Sequence, residues 1–325
     1  MRIQVVGAGG WGLALARVLA VNGNDVRLWC REEDGPDALR DTRQSPTFLP
    51  GVLLPESIDV SRDIDPDVDM AVLAVPSHAM RIVAARYRFS SNTILVSVAK
   101  GIENESLLRM SQVIDEVAPG ARVVSLSGPS HAEEVGRDQL ASVVAGSPDE
   151  DAANLVQQAF MSETFRVYTS HDIIGVELGG SLKNVIAIAA GVCDGFKLGD
   201  NAKAALITRG LAEISRLGVR LGADPLTFAG LSGMGDLIVT CASLHSRNRA
   251  VGQKIAEGLT LEQILGSSPM VAEGVRTTRS AYELAQKSGI DMPITAYMYH
   301  VLFENADARQ GVTRLMKRDA KPERG

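Results

Sequence analysis

Lys183 stands just ahead of an apolar run at 185–192, Val-Ile-Ala-Ile-Ala-Ala-Gly-Val. An ammonium desolvated there has its pKa lowered from about 10.4 toward the range of about 7–8 that suits a general base. Reversible hydride transfer at a carbinol needs such a group to exchange the hydroxyl proton. A lysine whose stem follows apolar surface while its head reaches water fits the same pattern. Farther along, Ser246-Arg247-Asn248-Arg249 gathers two guanidinium groups and two small donors. That set suits a phosphate monoester, because arginine binds oxyanions bidentately; a solvated basic turn has the same composition. Asp236, after Gly233-Met234-Gly235, is placed either to orient a catalytic group or to cap a helix.

A second site of chemistry opens the chain. Gly7-Ala8-Gly9-Gly10-Trp11-Gly12 has the form GxGxxG, follows an apolar strand pattern and leads into an apolar helical one (Leu13, Leu15, Ala16, Leu19). In that context Gly7 permits the tight turn, Gly9 lets the backbone approach a pyrophosphate, and Gly12 lets helix and strand pack closely. The helix N-terminus offers its free N–H groups and positive dipole to the phosphates. The next strand ends Leu28-Trp29-Cys30-Arg31, without the acid that binds a ribose 2′-hydroxyl. Arg31 suits a 2′-phosphate instead and favours NADPH over NADH, although Glu32 and Glu33 beside it can neutralise it as a surface arginine.

These groups need a scaffold. Buried-strand runs occur at 3–6, 26–29, 70–75, 93–98, 123–126 and 142–145, with helical patterns between several of them. One helical face carries Leu107, Leu108, Ser111, Ile114 and Val117; another helix is expected to begin at Ser147-Pro148-Asp149-Glu150, with Ser147 as N-cap and Pro148 in first position. Strand-helix alternation predicts a doubly wound, mostly parallel sheet covered on both faces. Past residue 172 strand signals nearly vanish. The apolar run at 185–192 predicts a helix buried in the protein centre, Thr260-Leu261-Glu262-Gln263 a capping box, Tyr282, Leu284 and Ala285 the opening of another helix, and Pro293 the start of a last one. The expected organisation is therefore an α/β Rossmann-type domain at 1–172 and an all-α domain at 173–325, ending in a charged, frayed tail at 317–325.

In an open parallel sheet, ligands bind beyond the carboxyl ends of the strands. Those ends carry Pro76-Ser77-His78, Ala99-Lys100-Gly101 and Gly128-Pro129-Ser130-His131-Ala132. Lys100 is a cation suited to a phosphate or a polarised oxygen; His78 and His131 read as polar loop residues or as acids and bases. Bulk composition narrows the partners. The 325 residues, 45% hydrophobic and 22% charged, suit two globular domains. A net charge of -6 argues against a nucleic-acid partner. Cys30, Cys193 and Cys241 lie too far apart in sequence for a zinc or disulfide motif and read as core residues of a reducing compartment. The amino terminus reads as a first buried strand, and no run of about 18 apolar residues predicts a membrane span.

Taken in order, several stretches resemble the bacterial NAD(P)-dependent glycerol-3-phosphate dehydrogenases: the glycine turn at 7–12, Ala99-Lys100-Gly101-Ile102-Glu103, the segment 127–134, Leu182-Lys183-Asn184 and the apolar run after it, 201–210, Gly233-Met234-Gly235-Asp236-Leu237, Ser246-Arg247-Asn248-Arg249 and Ala272-Glu273-Gly274. The turn is common to dinucleotide binders, whereas the Lys183 and Ser246-Arg247-Asn248 motifs are specific to this family. The resemblance implies that Lys183 is the proton acceptor in oxidation and the donor in reduction. It implies substrate contacts from Lys100, Gly128, Ser130, Lys183, Asp236, Ser246, Arg247 and Asn248. It further implies that Gly7, Gly9, Gly10, Trp11, Gly12, Arg31, Lys100, Ala132, Arg247, Val271 and Glu273 line NADPH or NADH, with no metal. A cytoplasmic homodimer that reduces dihydroxyacetone phosphate to sn-glycerol 3-phosphate for phospholipid synthesis follows from the same resemblance. Gly10 and Leu13 stand where the family usually has Ser and Thr, which leaves the fine cofactor contacts open, and the stretch 43–55 matches poorly. A dehydrogenase of another phosphorylated or hydroxy acid shares most of these features, and a protein that senses the cofactor without chemistry would share the turn alone.

Overall fold

The computed structural model describes residues 1–87, 89–266, 272–311 and 322–323. The first half runs β1 (Arg2–Val6), α1 (Gly10–Val21), β2 (Asp25–Trp29), α2 (Pro36–Thr42), β3 (Gln44–Ser45), β4 (Leu49–Leu53), β5 (Asp59–Ser61), β6 (Met70–Leu73), α3 (Met80–Arg86), β7 (Ile94–Ser97), α4 (Met110–Val117), β8 (Arg122–Ser127), α5 (Ala132–Val135), β9 (Ala141–Gly146), α6 (Glu150–Phe160) and β10 (Phe165–Ser170). Eight strands form one sheet in the order β10-β9-β8-β7-β6-β1-β2-β5. From β5 to β8 every pairing is parallel, as the doubly wound expectation requires; β9 meets β8 antiparallel and carries β10 parallel to itself. The central strands are buried on both faces, which explains their unbroken apolar runs. Leu13, Leu15 and Phe160 cover one face; Met80, Val113 and Ile114 cover the other.

The second half is helical: α7 (Ile173–Gly195), α8 (Asp200–Arg220), α9 (Pro225–Ala229), α10 (Asp236–Ala242), α11 (Arg247–Ala256), α12 (Leu261–Gly266), α13 (Glu273–Ser288) and α14 (Pro293–Phe303). At its centre lies α7, buried from Gly175 to Cys193. It is long and apolar enough to cross a membrane, yet 89% of its apolar window is buried inside the protein. Asp172 caps it, accepting from Gly175 N–H at 2.8 Å, and its other oxygen takes Thr227 Oγ at 2.6 Å. A Cβ on Gly191 would overlap the Arg249 carbonyl oxygen, and one on Gly252 would overlap the Ile188 carbonyl. The backbones of α7 and α11 therefore touch, and this contact brings the start of α11 beside Lys183 and Asn184.

The structure corrects several local expectations. Leu107 and Leu108 precede the helix they were assigned to: Leu107 has φ 61°, and α4 starts only at Met110. Ser147 is not an N-cap. Its N–H extends the β10 pairing to Ser170 O at 2.9 Å and its hydroxyl donates to Val123 O at 2.7 Å, so the cap falls to Asp149, which accepts from Ala152 N–H at 2.9 Å. The helix assigned to open near Tyr282 begins at Glu273. Strands β5 and β10 and the β3–β4 hairpin carry no strong apolar run, and sequence patterning does not find them. The capping box forms as expected, with Gln263 N–H on Thr260 Oγ1 at 3.3 Å and Thr260 N–H on Gln263 Oε1 at 2.9 Å. Pro293 does open the last of these helices. Most of the tail at 317–325 lies outside the described residues.

Candidate active site

The glycine turn takes the form its spacing demands. Gly7 has φ 117°, and a Cβ there would press on the Ala74 carbonyl oxygen; a Cβ on Gly12 would overlap the Gly7 carbonyl oxygen. Both are thus fixed by strand-helix closeness. Gly9 has nothing within 4 Å of its Cβ position, which leaves room at the first turn of α1, where backbone N–H groups have no partner within the helix. The Trp11 indole N–H is buried and unpaired among the described residues. Beside the turn lies a cleft of about 250 Å³, bounded by Ala8, Cys30, Asp34, Leu39 and Phe48 among others. An open Gly9, unsatisfied donors and a partly apolar cleft at the end of β2 fit a dinucleotide.

Arg31 sits as the sequence places it, just past β2, but it is engaged. Its Nε and Nη2 donate to the two oxygens of Asp34 at 2.7 and 2.9 Å, and Glu33 lies 3.0 Å from Nη1. Glu32, the other expected neutraliser, belongs to Arg62 at 2.6 Å.

In the second domain, Lys183 is 5% exposed on α7. Its ammonium donates to the Asp236 carboxylate and, at 2.6 Å, to Thr240 Oγ1. Asp236 and Thr240 are four residues apart on α10 and share a face. The other Asp236 oxygen takes Lys100 Nζ at 2.6 Å, and Lys100 also donates to the Gly128 carbonyl at 2.9 Å. One carboxylate thus serves two ammonium groups. Burial lowers the Lys183 pKa to about 8, with Asp236 opposing and Lys100 reinforcing the shift. Burial alone would raise Asp236, but the two lysines outweigh it and hold the carboxyl below its ordinary value. The sequence placed Lys183, Lys100 and Asp236 separately; the fold makes them one unit.

The other expected residues divide. Ser130 Oγ donates to the Gly128 carbonyl at 2.9 Å, and Gly128 itself has φ 150°. Ala132 packs 3.6 Å from the Cβ position of Gly10, so the 128–132 loop links the glycine turn to the lysine pair. Ser246 caps α11 by accepting from Arg249 N–H at 3.2 Å. Asn248 donates to Asn184 Oδ1 at 2.9 Å and accepts from Gly274 N–H at 2.9 Å. Its amide therefore ties α11 to α7 and α13, and Asn184, whose own amide donates to the Lys100 carbonyl at 3.2 Å, extends the link to Lys100. The two arginines of the basic cluster part company. Arg247 is the exposed first residue of α11, whereas Arg249 turns inward to Asp194 at 2.5 Å. Glu273 receives Ser77 N–H at 3.2 Å and Ser77 Oγ at 2.6 Å, which ties α13 to the end of β6. Val271 lies outside the described residues. His78 is drawn below its ordinary pKa by burial and Arg276. Sequence reasoning missed Thr240, Asn184 and Ser77; only the i, i+4 spacing of Thr240 from Asp236 offered a signal. The three cysteines are free and buried, as read; burial pushes the Cys241 thiol up to about 12, which makes it inert.

A dinucleotide turn joined through one loop to a buried lysine of lowered basicity defines a nicotinamide-dependent dehydrogenase. Comparison narrows the class. Residues 2–153 match the family model for the NAD-dependent glycerol-3-phosphate dehydrogenase N-terminus, and residues 172–313 the model for its C-terminus. The chain belongs to this family. It is 51% identical to glycerol-3-phosphate dehydrogenase [NAD(P)+] 1 of Salinibacter ruber, over 99% of this chain and 96% of that one. It is 52% identical to the Pelotomaculum thermopropionicum glycerol-3-phosphate dehydrogenase [NAD(P)+], over 98% and 93%. The crystal structure of the Coxiella burnetii glycerol-3-phosphate dehydrogenase superposes with a TM-score of 0.92 at 36% identity, covering 97% of this chain and 98% of that one.

Proposed function

We propose that this protein is an NAD(P)-dependent sn-glycerol-3-phosphate dehydrogenase that transfers a hydride between NAD(P)H and dihydroxyacetone phosphate. The observation that carries the reading is Lys183, buried, tuned to about 8, held by Asp236 and Thr240, and linked through Lys100 and the 128–132 loop to the glycine turn. The bound nicotinamide supplies the hydride. Lys183, protonated, stabilises the negative charge that develops on the C2 oxygen and delivers its proton there; in the reverse direction it takes the hydroxyl proton. Asp236 supplies the counter-charge that keeps this ammonium available, and Lys100 steadies the Gly128 loop while facing both ligands. Arg247 at the start of α11 binds the phosphate, with Ser130, Ser246 and Asn248 shaping the pocket.

The pyrophosphate lies at Gly9 to Gly12, with Gly7 making the tight turn; Trp11, Arg31, Ala132, Val271 and Glu273 line the cofactor. Asp172, which caps α7, supports division of the chain into a cofactor domain at 1–172 and a substrate domain at 173–325. Assembly as a cytoplasmic homodimer, outside the membrane and free of nucleic acid, and supply of glycerol phosphate to phospholipid synthesis belong to the same reading. The test follows absorbance at 340 nm with dihydroxyacetone phosphate and either NADPH or NADH. Rapid oxidation is expected; cofactor binding without oxidation would reject the substrate.

A further inference from the structure

His131 lies where three parts of the site meet, yet none of the roles above uses it. It follows Ser130 in the loop that Lys100 holds through the Gly128 carbonyl at 2.9 Å. The next residue, Ala132, packs beside Gly10 of the dinucleotide turn. The imidazole faces the ring of His245, at 5.9 Å between centroids. His245 immediately precedes Ser246 and Arg247, where α11 begins. The ring therefore spans from the cofactor side of the cleft to the α11 side.

Its Nε2 is buried and has no hydrogen-bond partner among the described residues. A buried polar atom left unpaired is destabilising, and native proteins tolerate few of them without a ligand or ordered water to complete the bond. Burial and the Lys183 and Lys100 cations hold the ring below its ordinary pKa against Glu133 and Glu134, so it is neutral at pH 7 and carries one N–H.

We propose that His131 is a further substrate-binding residue, whose Nε2–H donates to a phosphate oxygen of the ketone that Lys183 protonates. The assignment rests on dihydroxyacetone phosphate being the substrate. A donor on the loop that Lys100 holds, set against the His245 ring just ahead of Ser246 and Arg247, suits the phosphate of a three-carbon substrate, and N–H to a phosphate oxygen is a charge-assisted bond.

The test compares wild type with His131→Phe, which keeps a ring and removes the donor, and with His131→Gln, which restores an N–H. For His131→Phe the KM for dihydroxyacetone phosphate is expected to rise about tenfold, with kcat within about threefold and NADH affinity unchanged. His131→Gln recovers part of the loss. Inorganic phosphate, competing for the same place, should inhibit His131→Phe about tenfold more weakly than wild type. An unchanged KM, a loss confined to kcat, or equal inhibition by phosphate overturns the proposal while the substrate reading stands. A wild type that does not oxidise NADH or NADPH with dihydroxyacetone phosphate brings down both.

Discussion

Lys183 and Asp236, 53 residues apart in the chain, form a buried ion pair, and the same carboxylate also holds Lys100. Asp236 opposes the burial that lowers Lys183. Asp236→Asn removes that opposition and leaves two lysines facing each other. The pKa of Lys183 then falls, because removing one partner of a buried pair leaves the other uncompensated. The midpoint of the pH–rate profile should move to lower pH, and turnover should fall by about 100-fold. A midpoint that stays in place would show that Asp236 does not set the basicity of Lys183.

The wild-type profile has a direction of its own. With Lys183 near 8, alcohol oxidation needs the free amine and should rise with pH through that value. Ketone reduction needs the ammonium and should decline above it. Lys183→Ala should bind cofactor almost normally and lose on the order of 1000-fold in kcat. Turnover within a few-fold of wild type would reject the lysine as the proton-transfer group.

Arg247 and Arg249 give opposite expectations from one motif. Arg247→Ala should raise the KM for dihydroxyacetone phosphate by about 10- to 100-fold. Arg249→Ala breaks the contact with Asp194, which Lys203 also holds at 2.9 Å, and should lower the melting temperature with little change in KM. Parallel kinetics and thermal melts of the two variants separate substrate binding from support.

The proposed contact of Arg31 with a 2′-phosphate bears on cofactor choice. A 2′-phosphate must compete with Asp34 and Glu33 for its guanidinium. Asp34→Asn relaxes that grip and should raise kcat/KM with NADPH relative to NADH several-fold, whereas Arg31→Ala should lower the same ratio. The two rates at 340 nm decide it. A ratio unmoved by either change would place the 2′-position away from Arg31.

Glu213 links stability to pH. It is 1% exposed on α8 and accepts from Ile294 N–H at 2.7 Å and Thr295 N–H at 3.2 Å. Burial raises its pKa from 4.5 to about 7. The folded state therefore binds a proton that the unfolded chain releases between those values, and stability should fall by up to about 3 kcal/mol as pH rises across them. Denaturant titrations at pH 5 and 7.5 should show this decline in wild type and a flatter response in Glu213→Gln. Equal slopes would remove Glu213 as the source.

How much was legible in the sequence varies with the range of the interaction. Short apolar runs gave away β1, β2, β6, β7, β8 and β9, and the runs are most continuous in β6 and β7, which are buried at every position. β5, β10 and the short hairpin are edge or peripheral elements without a continuous apolar run, and the pairing of β5 and β10 is fixed by neighbours far along the chain. Ser147 shows the same limit. Its type and spacing suit a helix cap, but a strand partner at Ser170 claims its backbone first.

The sequence by itself determined the dinucleotide turn, the alternation that builds a parallel sheet, and the residue types of the site: a lysine before an apolar run, an arginine beside small polar donors, and an acid after a glycine turn. Those are local matters of backbone freedom and periodicity. Only the tertiary structure decided that Lys100, Lys183 and Asp236 share one buried charge system, that Arg249 supports α11 while Arg247 begins it at the surface, and that Arg31 is bound by Asp34. Pairing and desolvation depend on which groups meet in space, and α7 meets its partners only after the helices have closed around it.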